Sequence, residues 1–206
     1  GSETLPEAQQ KKSDHVLAKL RRQPGQTLLD IGCGWGARGL RAASKCGGRC
    51  VGITLSQKQF ELATERVRAA GLQDRVEIRL QDYRDVQGPF DRVSSVGMFE
   101  HVGLKNLASY FRIIHDLLAP GGWALNHGIT STDPQNGATS YGGGDFIDRY
   151  VFPNGELAHI GTVLTTLQEG GLEAVDIENL RRHYARTLQS RSDALEAKPR
   201  PLKQPV

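Results

Sequence analysis

Leu28-Leu29-Asp30-Ile31-Gly32-Cys33-Gly34-Trp35-Gly36 decides the fold of this 206-residue chain. An apolar run ends at an acid, glycines follow at alternate positions, and helical character resumes at Ala37. That pattern predicts a buried parallel strand running into a loop whose backbone approaches a ligand closely. A Cβ there would collide with the ligand or forbid the dihedrals of the turn. Gly32, Gly34 and Ala37 also satisfy the G-x-G-x-x-A dinucleotide fingerprint. The loop by itself therefore admits a nicotinamide cofactor or S-adenosylmethionine (SAM).

Working outward, a helix is predicted over about Glu7 to Arg22, with Val16, Leu17 and Leu20 as a thin apolar stripe, ended by Pro24-Gly25. The first strand spans Thr27 to Ile31, a helix Ala37 to Lys45, and a second strand Arg49 to Thr54. Ser56 caps a helix that runs to Ala70 and stops at Gly71. Strands follow at Val76 to Leu80 and Arg92 to Val96, then a helix from Asn106 to Leu118. Pro120-Gly121-Gly122 separates that helix from a fifth strand, Trp123 to His127. A helix over Leu157 to Glu169 and a strand over Leu172 to Glu178 close the pattern. Alternating strands and helices on short loops predict an α/β fold, a doubly wound and mostly parallel sheet. The Gly-, Ser-, Thr- and Asn-rich stretch from Thr130 to Gly144 is expected to be a lid, a binding segment or a disordered loop. One domain is expected over residues 1–189, with 190–206 as a disordered tail, since apolar periodicity ends at Gln189.

A formal charge of +3, with 38% hydrophobic and 24% charged residues, is ordinary for a globular domain. Lys11, Lys12, Lys19, Arg21 and Arg22 form one basic cluster and Arg181 and Arg182 another. Neither is interleaved with aromatics, so no nucleic-acid partner is expected. Cys33, Cys46 and Cys50 lack the companions of a disulfide framework or a zinc site, so no metal is expected. They read as reduced thiols of a cytoplasmic protein, and no signal peptide or spanning run is present.

The second strand ends Ile53-Thr54-Leu55-Ser56, without the acid that a nicotinamide enzyme places roughly 20 residues after its first glycine. Many SAM enzymes place an acid there too. Gln81-Asp82-Tyr83 after the third strand favours SAM, because an amide or carboxylate can accept from an adenine amino group while an aromatic covers the ring. Asp82 alone is equally suited to capping a turn.

Four segments then coincide: Asp30 to Gly36, Leu80-Gln81-Asp82-Tyr83-Arg84-Asp85, Val96-Gly97-Met98-Phe99-Glu100-His101-Val102-Gly103, and Tyr150-Val151-Phe152-Pro153-Asn154-Gly155. In this order they resemble the cyclopropane-fatty-acyl-phospholipid synthases and mycolic acid cyclopropane synthases, from about Leu5 to Leu188. The resemblance implies the class I SAM-dependent methyltransferase fold and methyl transfer from SAM to the cis double bond of an unsaturated phospholipid acyl chain. It implies cofactor contacts from Asp30, Gly32, Cys33, Gly34, Trp35, Gly36, Thr54, Leu55, Ser56, Gln59, Gln81, Asp82 and Tyr83. Thr54 and Gln59 would replace the missing acid at the ribose. It further implies a bound bicarbonate as base, held by Glu100, His127 and Tyr184 with the Ile129 backbone in reach.

Taken singly, Glu100 reads equally as a turn cap, His127 as a core histidine and Tyr184 as a packing aromatic. Phe146, Ile147, Tyr150 and Phe152 would line an acyl tunnel or belong to the core. Membrane contact, if any, would be peripheral at the inner face, through basic clusters and apolar loops. The chain departs from the family in lacking its Tyr-Ser-Cys-Ala-Tyr-type upstream segment and a run for the final antiparallel strand. These departures leave room for a weakened or inactive SAM-binding module. A coclaurine-type N-methyltransferase, which shares the Met-Phe-Glu-His segment, is the competing enzyme reading.

Overall fold

The computed structural model describes residues 3–134 and 156–197. Its elements are α1 (Leu5–Lys19), β1 (Leu28–Ile31), α2 (Ala37–Cys46), β2 (Cys50–Thr54), α3 (Gln57–Ala69), β3 (Val76–Leu80), β4 (Phe90–Val96), α4 (Leu107–Leu117), β5 (Leu118–His127), α5 (Ile160–Glu169) and α6 (Arg181–Glu196). The chain divides into two compact units, Gly1–Glu173 and Ala174–Val206.

The first unit holds a five-stranded parallel sheet of order β3-β2-β1-β4-β5. All four residues of β1 are buried, as a central strand covered on both faces requires. Leu28, Val67, Val76, Ala42 and Ala43 join Val16, Leu17 and Leu20 in one core layer, built by α1, α2 and α3. Leu29, Ile31, Ile53 and Val93 join Tyr110, Phe111, Ile114 and Val163 in the other, built by α4 and α5. The order reverses between β1 and β4, and open α/β sheets bind ligands at the strand carboxyl ends beside such a switch.

Local signals explain the element ends. Thr4 and Glu7 form a capping box at α1. The Ser56 hydroxyl accepts from Gln59 N at 3.4 Å and starts α3. Arg21 and Arg22 leave the expected basic cluster for structural work. The Arg21 guanidinium stacks 4.4 Å over the Trp123 ring. Arg22 is buried and donates to the carbonyls of Ala42 (2.9 Å), Gln26 (2.8 Å) and Arg49 (3.3 Å).

Three expectations are corrected. The fifth strand begins at Leu118, because the ladder runs from Phe90 opposite Leu118 to Arg92 opposite Trp123 and absorbs Pro120-Gly121-Gly122 as a bulge. The strand expected over Leu172 to Glu178 does not form. Its alternating Val175 and Ile177 stand 62% and 60% exposed, and a strand needs a ladder partner as well as a pattern. Order continues past Gln189, since α6 runs to Glu196 on pairs such as Gln189 Nε2 to Asp193 Oδ1 at 2.8 Å. Such i,i+4 pairs support a helix without an apolar stripe. Phe146, Ile147, Tyr150 and Phe152 lie outside the described residues, as do most of the Thr130 to Gly144 stretch and the last nine residues.

Candidate functional site

The glycine loop curls at the end of β1. Cys33 N donates to the Ile53 carbonyl at 2.9 Å, which fastens the loop to the end of β2, and Gly36 N donates back to Cys33 O at 3.1 Å. Gly36 has φ +78°, and a Cβ there would sit 3.1 Å from Ala63 Cβ, so both conformation and space require glycine. Beside the loop opens a cleft of about 240 Å³. Of the residues expected to bind a cofactor, Gly32, Thr54, Leu55, Ser56, Gln59, Gln81 and Tyr83 line it. Ile31, Ile53 and Met98, which sequence reasoning did not single out, complete the wall.

Thr54 is oriented from both sides. Its hydroxyl donates to Gln59 Oε1 at 2.7 Å and accepts from Ser56 N at 3.1 Å. The pair leaves the Gln59 amide nitrogen as a donor at the cleft. Gln81 Nε2 donates to Asp85 O at 2.9 Å, so its carbonyl end remains an acceptor.

The other expected residues do not line the cleft. Asp82 caps the turn Tyr83–Asp85 and is gripped by Arg84, with Nε to Oδ1 at 2.9 Å and a second guanidinium nitrogen to Oδ2 at 2.7 Å. That pair holds its carboxyl below the usual range. The capping role weighed for Asp82 is thus the one its geometry displays. Trp35 is half exposed, its carbonyl accepting from Arg66 at 3.2 Å. Gly34 adopts φ +56° in the loop. Cys33 is buried against Gly52, where a Cβ would come within 2.9 Å of Cys33 Cβ. Burial first and the Asp30 charge second push its thiol up to about 12, which makes it a packing group and not a nucleophile.

Asp30 lies beneath the loop with its side chain fully buried. Ser94 Oγ donates to Oδ1 at 2.7 Å, and the Arg38 guanidinium pairs with the same oxygen. The carboxylate therefore fastens β1 to β4 and to the first turn of α2. Arg38 and Ser94 were not read from the sequence.

Glu100 and His127 come to the carboxyl edge of the sheet as expected. Glu100 sits in the turn Phe99–His101 after β4 and is buried. Its Oε1 accepts from Ile129 N at 2.8 Å, while Oε2 is buried without a partner. His127 ends β5, and its Nδ1 is likewise buried and unpartnered. A hydrogen bond from Gly97 N to His127 O at 2.8 Å ties the two strand ends. The Tyr110 hydroxyl, 2.7 Å from Ser95 Oγ and 3.3 Å from Asn126 Oδ1, braces the same ends from α4. Tyr184 lies on α6 in the second unit, 43% exposed.

Burial pulls His127 below the ordinary histidine range, while the Glu100 charge opposes and Lys12 and Arg38 add to the effect. The unfolded chain, with histidine near about 6.5, then takes up the proton first on acidification. The stability that His127 contributes is complete above about pH 6.5 and is lost as pH falls towards the folded value. His127→Gln is expected to flatten the decline of the denaturant midpoint below about pH 6.5. An unchanged slope would contradict an imidazole held below the ordinary histidine range.

The sequence profile described as mycolic acid cyclopropane synthetase matches residues 1–204. The chain belongs to that family. A probable fatty acid methyltransferase of Pseudomonas putida is 49% identical over 195 residues, covering 94% of this chain and 50% of that protein. The chain thus spans about half the length of the curated relatives it matches. Among solved structures, the cyclopropane synthase MmaA2 from Mycobacterium tuberculosis aligns with a TM-score of 0.88 and 35% identity, over 95% of this chain and 72% of that one. The mycolic acid cyclopropane synthase CmaA1, complexed with SAH and CTAB, aligns with a TM-score of 0.87 and 35% identity, over 95% and 71%. The sheet and its flanking helices are accordingly those of the class I SAM-dependent methyltransferases. No described helix is long and apolar enough to cross a membrane.

Within the family frame, two of the missed residues had a sequence signal. Met98 stands two positions before Glu100 in a quoted segment, and Gly128 directly follows His127. A Cβ on Gly128 would lie 2.1 Å from Phe99 Cε1 and 2.9 Å from Glu100 Cδ, so that glycine makes the room Glu100 occupies.

Proposed function

We propose that this chain carries the cofactor cleft and base pocket of a SAM-dependent C-methyltransferase acting on the cis double bond of an unsaturated phospholipid acyl chain. The observation that carries the reading is the pair of buried, unpartnered atoms Glu100 Oε2 and His127 Nδ1 at the strand ends. Buried polar atoms are normally satisfied, and an unpartnered oxygen and an unpartnered nitrogen on side chains within electrostatic reach of one another suit a small hydrogen-bonding group. Bicarbonate fits that requirement, since its hydroxyl can donate to Glu100 and its oxygens can accept from His127.

When bound, SAM supplies an electrophilic methyl group and bicarbonate supplies the base. Thr54 and Gln59 would hold the ribose, Gln81 and Tyr83 the adenine, and the backbone of the Gly32 to Gly36 loop the amino-acid end. Asp82 would meet the adenine amino group with the lone pairs that Arg84 leaves free. An alkene cannot be activated by deprotonation, so the protein's work is positioning and exclusion of water. Glu100, fixed by Ile129 N, and neutral His127 orient the group that accepts the proton lost on ring closure. The substrate would be reached by peripheral contact at the inner face of a cytoplasmic membrane.

Isothermal titration with S-adenosylhomocysteine (SAH) is expected to give a saturable heat. Mass spectrometry after incubation with SAM, bicarbonate and an unsaturated phosphatidylglycerol should show gain of one CH2 per acyl chain. Methylation of an amine substrate instead would move the reading to an N-methyltransferase.

A further inference from the structure

Met98 is the chain's single methionine, and its side chain stands where two parts of the site meet. On one side it forms the cleft wall with Gly32, Ile53 and Tyr83. A Cβ placed on Gly32 would lie 3.8 Å from both Met98 Cβ and Met98 Sδ. The thioether therefore packs directly over the glycine that opens the cofactor loop. On the other side, Met98 starts the turn that carries Glu100, its carbonyl accepting from His101 N at 3.0 Å. The preceding Gly97, at φ +70°, donates to the His127 carbonyl and anchors the base of the side chain to the end of β5. The side chain is half-buried, resting against the core cluster that contains Phe99.

A single flexible side chain thus lies against the loop and on the cleft wall, two residues along the chain from Glu100, whose Oε2 is buried without a partner. Its chemistry suits the place. A thioether is apolar, unbranched and polarizable, so it fills an irregular gap and lies well against a cation without competing as a hydrogen-bonding group. An electrophile facing an alkene needs a dry wall at that point.

We propose that Met98 is the partition of the reaction centre, a specificity-determining residue whose thioether touches the cofactor on one side and the acyl chain on the other. The inference rests on the SAM and acyl-lipid reading of the same site. Truncating the side chain would open the wall between the two ligands. The acyl chain would lose apolar contact, while the polar contacts of Thr54, Gln59 and Gln81 to the cofactor would be untouched.

The test uses the full chain labelled with 13C at the methionine methyl, which gives one resonance. SAH is expected to shift it. Oleoyl lysophosphatidylglycerol below its critical micelle concentration, added to the SAH complex, is expected to shift it again. Met98→Ala should keep the SAH Kd within about threefold and weaken the oleoyl probe at least about tenfold, while Met98→Leu keeps both. Calorimetric binding of either ligand with no movement of the resonance overturns the inference and leaves the methyltransferase reading standing. So does an Ala variant that binds the oleoyl probe as tightly as the parent. Absence of heat with SAH or with the probe overturns that reading, and the inference with it.

Discussion

Gly128→Ala is expected to lower methyl transfer by at least about 100-fold while leaving SAH affinity within about threefold of the parent. The new methyl would fall 2.1 Å from Phe99 Cε1, 2.6 Å from Phe99 Cδ1 and 2.9 Å from Glu100 Cδ. Both neighbours are 2% exposed, so neither has open space to move into. Phe99 would have to leave its packing against the α4 layer, or Glu100 would have to release Ile129 N. Overpacking of this kind costs about 1–3 kcal/mol, and a stranded buried N–H costs a similar amount. The cofactor cleft is lined mainly from the ends of β1, β2 and β3, with Met98 its single contribution from the turn after β4, so most of its polar contacts should keep their places. Parallel measurement of SAH binding, thermal midpoint and lipid methylation checks this. Full activity in a folded Ala variant would show that the position of Glu100 is unimportant.

Arg38→Ala is expected to be the most destabilising single charge removal in the first unit. Arg38 is 13% exposed and Asp30 is not exposed at all, so the substitution leaves a buried carboxylate with the Ser94 hydroxyl and no counter-charge. Breaking a buried pair from one side costs about 3–5 kcal/mol, a large part of the roughly 5–15 kcal/mol that holds a domain together. At about 2–4 °C per kcal/mol for a chain of this size, the thermal midpoint should fall by on the order of 10 °C. The double variant Asp30→Asn with Arg38→Gln should lose clearly less than the sum of its parts. A single-variant loss below about 1 kcal/mol would instead mark the pair as a surface contact in energetic terms. The arrangement also explains how a cation tolerates the first turn of α2, where the helix dipole disfavours it.

The contrast between these residues and the legible ones is physical. Leu28 to Ile31, the Ser56 cap and the Val76 to Leu80 strand declare themselves through neighbours in sequence, and the structure places them where the pattern does. The cleft residues Thr54, Gln59 and Tyr83 follow from strand ends, because a parallel sheet brings all its carboxyl ends to one edge. Arg22, Arg38 and Ser94 are different. Arginine and serine in a sequence read as surface, and only partners brought close by the fold, from eight residues away for Arg38 to 64 for Ser94, draw them inside. Val175 and Ile177 err in the opposite sense, since alternation is a local signal and a ladder is not. Asp82 is an instance of competition, its carboxylate already engaged by the arginine two residues on.

The central strand pair carries a consequence for how the chain acquires its fold. β1 pairs with β4, and Thr27 N and Oγ1 donate to Asp91 Oδ2 at 2.7 and 2.8 Å, while Asp91 N returns a bond to Thr27 Oγ1 at 3.0 Å, all across 64 residues. A growing chain cannot complete its sheet centre until β4 has been synthesised. Until then β1, apolar at three of its four positions, has only β2 beside it. Contacts of such sequence separation slow folding, because the loop entropy is lost before the pairing is gained. The strand that ends in the ligand loop is therefore also the interior strand that waits longest for its second partner during synthesis, open to aggregation meanwhile.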